Sequence, residues 1–384
     1  TNGSGLSAEL QSAISADQAV VFTNAADTNY DIFDALRSSG TIAAADLCGA
    51  TDADSDTITY SVSVGSLPTG CTLNTSTGAI TYSSISAVGS DTVSTFTIQA
   101  ATTDLTITRQ FTITVKAPVV QSFTSTGAQT FSVPSGISTI SVLVAGGGGG
   151  TTNRGGGGGA GGLVIHSTYP VTPGGTVPLS VGAGGNGPGG TTPDQAPGNS
   201  GQNSSFGNIT AQGGGGGGAH RNSPGSARSG GSGGGGGRDI TGAGASGTQG
   251  PSGGGTGYGN PGGTATQLGG ANGGGGGGAG ATGLQGGASG MSSNTPMYNG
   301  APGGAGRTSS ITGTSTYYCG GGGSGMDTSQ LNGQSGQGGG GRGNGTQGNA
   351  TDGTANTGGG GGSNGDGTPS RPGNGGSGVV IVSY

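Results

Sequence analysis

Ile137-Ser138-Thr139-Ile140-Ser141-Val142-Leu143-Val144-Ala145 runs directly into Gly146-Gly147-Gly148-Gly149-Gly150, and the chain closes on Gly378-Val379-Val380-Ile381-Val382-Ser383-Tyr384. The first stretch is an apolar β pattern that turns into pure glycine with no linker between them. The last stretch is its reverse. An apolar strand at a chain end needs hydrogen-bonded neighbours, and 137–144 is the segment that matches it. Residues 119–384 therefore read as a β-sandwich base interrupted by a long glycine-rich excursion, mainly 146–378.

All but ten of the 102 glycines lie in that excursion, in runs at 146–150, 155–159, 213–218, 233–237, 273–278 and 358–362. Such a region is either a flexible tether or an ordered backbone lattice. Clusters start at Gly213, Gly233, Gly253 and Gly273, spaced by 20, and again at Gly320, Gly338 and Gly358, spaced by 18 and 20. A fixed period marks a repeated structural unit. Collagen is excluded, because glycine does not recur at every third position throughout and only 16 prolines are present. A polyproline-II-like pass rises about 3.1 Å per residue, so each period has room for two passes of roughly seven residues and two turns.

Such passes have no internal hydrogen bonds and persist only where neighbours supply them, which glycine permits by letting backbones approach on every side. The opposing term is the ordering of each residue, about 1–2 kcal/mol and highest for glycine. With little apolar surface to offset it, nearly every interior backbone group must be bonded. The periodicity, the low charge and the returning C-terminal strand favour the lattice over the tether.

The segment before 118 has another character. Thr57-Ile58-Thr59-Tyr60-Ser61-Val62, Ala79-Ile80-Thr81-Tyr82, Thr95-Phe96-Thr97-Ile98 and Phe111-Thr112-Ile113-Thr114-Val115 alternate apolar with polar residues, separated by Leu67-Pro68-Thr69-Gly70 and Asn74–Gly78. This is strand and turn spacing of a sandwich over 20–117. Residues 1–19 read as a connector or short helix, and the start at Thr1-Asn2-Gly3-Ser4 reads as a processed product or a fragment.

Composition narrows the function classes. Charged residues make up 7%, the net charge is -6, Lys116 is the only lysine, and the arginines are scattered. Binding phosphate needs clustered cations, so a nucleic-acid partner is not expected. No apolar run reaches the length of a membrane span, so membrane insertion is not expected either. Cys48 and Cys71 lie in one segment and are available to pair, while Cys319 stands alone; this usage leans towards a location outside the cytosol.

Catalytic signals are sparse. No Gly-Lys dipeptide follows any glycine cluster, so there is no phosphate-binding loop. Only His166 and His220 could act as a neutral-pH base, and His166 follows Leu163-Val164-Ile165 as a strand residue at a sandwich edge. No enzymatic activity is expected. Asp52-Ala53-Asp54-Ser55-Asp56 places three carboxylates at alternate positions, either a polar turn before a strand or part of a calcium site, calcium being the one candidate cofactor.

Between the glycine runs lie segments of different composition: 219–224, 256–261, 291–299 and 326–332. They carry His220, Arg221, Tyr258, Met291, Met297, Tyr298, Met326 and Leu331. Tyr and Arg are the residue types that carry binding energy, and Met adapts its shape to a partner. A lattice with one loop per 20 residues gathers several such loops at one end. They are either receptor-contacting loops or solvated turns. Tyr317-Tyr318-Cys319 follows a strand-like Ser310-Ile311-Thr312 and reads as core.

Two family resemblances rest on these residues. Ala50–Tyr60, Leu67–Gly70 and Thr77–Ile80 resemble the cadherin-like and Ig-like modules of bacterial and viral surface proteins, which act as spacers. Phe131–Pro134, Val142–Gly148, Gly161–Ile165, Tyr169–Val171, Val181–Gly185 and Gly378–Val382 resemble the glycine-rich domain of phage tail and environmental surface proteins, similar in architecture to the glycine-rich, TNF-like module of anaplastic-lymphoma-kinase-type receptors and to the distal tail-fibre adhesins of T-even-like phages. The implied fold class is all-β: an Ig- or cadherin-like sandwich, then a β-sandwich base with an inserted bundle of polyglycine-II helices.

The implied function is a virion tail-fibre or receptor-binding adhesin, located on the virion or outside the cell. Its partners would be a host-cell surface receptor, protein or glycan, and other virion subunits. The alternative is a structural subunit of an extracellular filament or a virion decoration fibre.

Overall fold

The computed structural model describes residues 19–25, 28–32, 39–83, 85, 90–188, 196–220, 226–238, 242–266, 272–287, 300–325, 333–345, 348–365 and 371–384. The proposed connector or helix over 1–19 lies outside them, apart from its last residue. The chain divides into two compact units, 1–119 and 120–384. The division falls beside Ala117-Pro118, close to where the segments read as 20–117 and 119–384 meet.

Unit 1 contains β1 (Val21–Phe22), β2 (Asn29–Ile32), β3 (Ser39–Ile42), β4 (Ala50–Thr51), β5 (Thr59–Gly65), β6 (Cys71–Leu73), β7 (Ile80–Ser83), β8 (Thr92–Ala101) and β9 (Thr106–Val115). A four-stranded sheet, β2-β9-β8-β5, and a three-stranded sheet, β3-β7-β6, share one core; β1 and β4 pair separately. The alternation read in the sequence becomes burial. Phe96, Ile98 and Ala100 of β8 and Phe111 and Ile113 of β9 are fully enclosed, while the residues between them are turned outward or only half-buried. Phe22 meets Phe111 edge to face at 5.4 Å, and the Arg109 guanidinium lies 5.3 Å from the Phe22 ring. Cys48 and Cys71 are free thiols. Cys48 Sγ donates to the Gly78 carbonyl at 2.9 Å, so no disulfide joins the two. Burial pushes both thiols up to about 11.

Unit 2 opens with β10 (Val120–Phe123), β11 (Gly127–Ser132), β12 (Thr139–Ala145), β13 (Leu163–Pro170), β14 (Thr176–Val181), β15 (Ser204–Phe206), β16 (Ile209–Ala211) and β17 (Thr256–Tyr258). A hairpin of β18 (Arg307–Ser309) and β19 (Thr316–Tyr318) and the C-terminal β20 (Val379–Ser383) complete it. One sheet has the order β10-β20-β12-β13-β17 and the other β11-β14-β15-β16. The terminal strand pairs with the segment matched to it, Ser141 to Ser383 through Ala145 to Val379. β15 and β16 form a tight hairpin. Gly207, with φ +54, forms its turn, and a Cβ there would collide with the Tyr169 hydroxyl.

Candidate functional site: one end of a glycine lattice

From Ala145 the chain passes straight into glycine, and the hydrogen bonds there show what the runs do. Along 156–162 successive N–H groups turn to three neighbours in rotation. Gly156, Gly159 and Gly162 donate to Gly218, Gly215 and Gln212; Gly157 and Ala160 to Gly274 and Gly277; Gly158 and Gly161 to Gly361 and Gly358. All of these bonds are 2.8–3.0 Å long. Three further segments donate into the same pass: Gly149 and Gly146 to Gly159 and Gly162, Gly235 and Ser232 to Gly157 and Ala160, and Gly322 to Gly158. A rotation of three is the residue period of the polyproline-II family of helices. Six neighbours thus surround one pass.

The six also bond to one another in a closed ring. The links run from 212–218 to 232–235, on to 274–277, to 320–323, to 358–363, to 146–150 and back to 212–218. The glycine runs of the sequence, with Gly320–Gly323, are these seven passes. Their purity follows from their place. A Cβ on Gly156, Gly157 or Gly158 would stand 2.0–2.2 Å from the carbonyl oxygen of Gly235, Gly322 or Gly149, respectively. No side chain fits in such a gap.

Passes outside the ring need glycine on one side only, and there it recurs every third residue. Gly198 and Gly201 face 147–150, Gly283 and Gly286 face 272–275, and Gly340 and Gly343 face 321–324. Asn199, Ser200, Leu284, Gln285 and Arg342 between them point outward. One cluster start does not belong to the lattice. Gly253 and Gly254, both with positive φ, form a turn beside His166 on the sandwich.

The lattice has two ends. At one it joins β12, β13, β14 and β20, and there Leu143, Ala145, Ala160, Leu163, Tyr318, Cys319 and Val379 form a shared apolar cluster. Tyr318 and Cys319 are core, as read; Tyr317 is 43% exposed. Burial pushes the Cys319 thiol and the Tyr318 hydroxyl up.

At the other end the chain reverses repeatedly, and the residues terminating the runs are polar. Thr151 Oγ1 donates to the carbonyls of Gly362 at 2.8 Å and Gly373 at 3.0 Å. Ser363 Oγ donates to Gly155 O at 2.7 Å and accepts from the Gly325 amide at 2.9 Å. Ser324 Oγ donates to Gly273 O and accepts from the Ala301 amide, both at 2.7 Å. Asn364 Nδ2 donates to Asn153 Oδ1 at 3.3 Å. Where a glycine pass runs out of lattice neighbours, side-chain oxygens and amides take their place. The signal for this layer is present in the sequence: a Ser, Thr, Asn, His or Arg stands within two residues of a run, as in Thr151, His220, Arg238, Asn272, Ser324 and Ser363.

Of the residues expected to contact a receptor, Arg221, Met291, Met297, Tyr298, Met326 and Leu331 lie outside the described residues. The described residues flanking their segments, Gly218 to His220, Gly286 and Gly287, Gly300, Ser324, Gly325 and Gly333, are at the polar end. His220 is there too, but 4% exposed within the capping layer rather than displayed. Tyr258 is at the opposite end. It belongs to β17, pairs with Leu163, and carries the Arg307 guanidinium 4.2 Å above its ring. It is not one of the gathered loops.

Charge follows the same division. Residues 120–384 contain seven arginines, five aspartates, no lysine and no glutamate. Among the described residues only Arg307 of these belongs to a β-strand.

The aspartates of unit 1 form a turn. Asp52 Oδ1 accepts from the amides of Asp54 at 2.9 Å and Asp56 at 3.1 Å, and Ser55 has φ 65. Among the described residues no group of three or more His, Cys, Asp or Glu side chains could hold a metal ion, so Asp52, Asp54 and Asp56 do not fit a calcium site by themselves.

Residues 124–384 match the family described as Glycine-rich domain, and 26–116 match the one described as Putative Ig domain. The chain belongs to the glycine-rich domain family. No curated protein matches it. Similar solved structures include human protocadherin-24 EC1-2 (18% identity, TM-score 0.21, 40% of this chain and 60% of that one) and a chimeric titin Z1Z2 functionalized with a decorin peptide (15%, 0.22, 34% and 70%). Protocadherin gamma B2 cadherin domains 3–6 are a third (13%, 0.20, 42% and 43%). These likenesses are too slight to carry an argument. An Ig-type module joined to a glycine-rich domain is the make-up of a surface- or adhesion-type protein. No helix among the described residues is long and apolar enough to cross a membrane.

Proposed function

We propose that this chain is a non-enzymatic adhesin, a virion tail-fibre or receptor-binding protein, in which the lattice holds its distal loops against a protein or glycan on a host-cell surface. One observation carries the reading: the flanks of the Met-, Tyr- and Arg-bearing loops converge on one end of a lattice whose glycine runs leave no room for a side chain. Binding energy comes from a few anchoring side chains, and holding their loops on a rigid support reduces the ordering cost of association. The sandwich strands of unit 2, β10–β17 and β20, carry no Asp, Glu, Lys or Arg, and His166 Nδ1 accepts the Thr168 amide at 3.2 Å, a structural bond. Neither feature calls for catalysis.

The test is binding of the full chain to a panel of host cells, beside a variant with 291–299 replaced by an equally long Gly-Ser segment. Loss of binding with an unchanged thermal transition is the expected result. Equal binding by the variant overturns the role of that loop. Polymerisation of the intact chain with no cell binding favours the filament or decoration subunit instead.

A further inference from the structure

The strand order of unit 2 has a mechanical consequence that is independent of what the loops bind. The chain enters unit 2 at Val120, and β10 is the edge strand of its sheet, held to β20 in the register Val120–Ser383, Gln121–Val382, Ser122–Ile381 and Phe123–Val380. β20 descends directly from the lattice, since Gly378 precedes Val379 and Val379 pairs with Ala145 at the foot of the first glycine run. Val120 is therefore at the end of the sheet remote from the lattice, and β10 runs towards the lattice. β20 is held on its other side by five pairs to β12, and all five of its residues are buried.

We infer that β10 and β20 form a tension clamp, resisting a pull between the N-terminal side of unit 2 and the loop end of the lattice. A pull along that axis draws β10 parallel to its own length. The hydrogen bonds of an antiparallel pair lie across the strands, so the four registered pairs are strained together and none can open before the others. A pull between Val120 and the C-terminus acts on the same four pairs differently. Tyr384 adjoins Ser383, the partner of Val120, so the strands peel apart one pair at a time. Phe123 locks the inner end of the clamp, 7% exposed and edge to face with Phe131 at 6.3 Å.

Single-molecule pulling of the full chain tests this in two geometries. One handle is always at the N-terminus. The other is either at the C-terminus or on a biotin-acceptor peptide inserted beside Ala196, an exposed residue at the loop end. Unit 1 lies in the path of both pulls, and its 119 residues, about 400 Å of extended chain, identify its own event. Forced opening reports the unfolding barrier along the pulled direction. The clamp predicts that unit 2 opens at several-fold higher force when pulled from the loop end, up to about the ratio of four pairs to one. Phe123→Ala should lower that force and leave the C-terminal pull, which first breaks the Val120 end, nearly unchanged. Equal forces in the two geometries overturn the inference. So does a Phe123→Ala effect of the same size in both, which would mark a general loss of stability.

Discussion

The two units solve one problem, excluding water from a folded chain, in opposite ways. In unit 1 side chains meet side chains: Phe96, Phe111, Ile98 and Ile113 fill the space between two sheets, and the backbone is satisfied locally within each sheet. In the lattice backbone meets backbone, and the side chain has been removed to allow it. A side-chain core depends on volume and shape and can relax around a change. The lattice depends on contacts of about van der Waals closeness between main chains on every side, with no space left for adjustment. The difference predicts how each responds to the smallest substitutions.

The largest expected effect is in the lattice. Gly157→Ala places a Cβ 2.0 Å from the Gly322 carbonyl oxygen with the Gly276 amide at 2.9 Å, so two passes must separate. Calorimetry should show the unit 2 transition lost or lowered by more than about 4 kcal/mol, in the range reserved for severe core disruption. Gly250→Ala is the control, with nothing within 4 Å of the added atom, and should be neutral or stabilising by about 0.4–1 kcal/mol. Similar results for the two would break the comparison. Next in size, Phe111→Ala in unit 1 should cost about 3–5 kcal/mol, relieved in part by collapse of the site, and should move only the unit 1 transition.

The smallest effect lies at the surface of unit 1. Lys116 Nζ is 3.0 Å from Asp91 and 3.7 Å from Asp31, and Asp91 Oδ1 also accepts the Ala117 amide at 2.9 Å. That amide bond, with the Lys116 contact, holds the Asp91 carboxyl below its ordinary value, and the Asp91 hydrogen bond raises Lys116. A depressed carboxyl contributes stability above its unfolded-state value and loses it as pH falls through the folded one. The raised lysine contributes below its unfolded-state value and loses it as pH rises through the folded one. Asp91→Asn should flatten the acid limb of the unit 1 stability profile slightly, within the small range of exposed pairs and less at high salt. A large shift would mean that surface charge, not the apolar core, decides unit 1.

Much of this architecture is legible in the residues. Alternating Thr-Phe-Thr-Ile and Phe-Thr-Ile-Thr-Val give the strands of unit 1, because period-two burial is written in side-chain type. Val379–Val382 is apolar throughout and finds the equally apolar Val142–Ala145, because both strands are buried on both faces. The spacing of 20 from Gly213 to Gly233 matches one outgoing and one returning pass. Gly253 misleads, since a glycine pair in a turn looks like a short run. Tyr258 misleads as well: its flanking glycines suggest a loop, but pairing with Leu163 makes it a strand.

What the sequence alone determines is therefore where side chains have been removed, where they return, and which strands open and close the excursion. Tertiary structure alone decides that 156–162 is the central pass, that 358–361 is its neighbour from two hundred residues away, and that the polar ends of the runs gather on one side. The reason is physical. Glycine carries one donor and one acceptor, the same at every position, so a run holds no record of its partner. Register comes from the sandwich strands that feed the runs and from the Ser, Thr and Asn residues that end them.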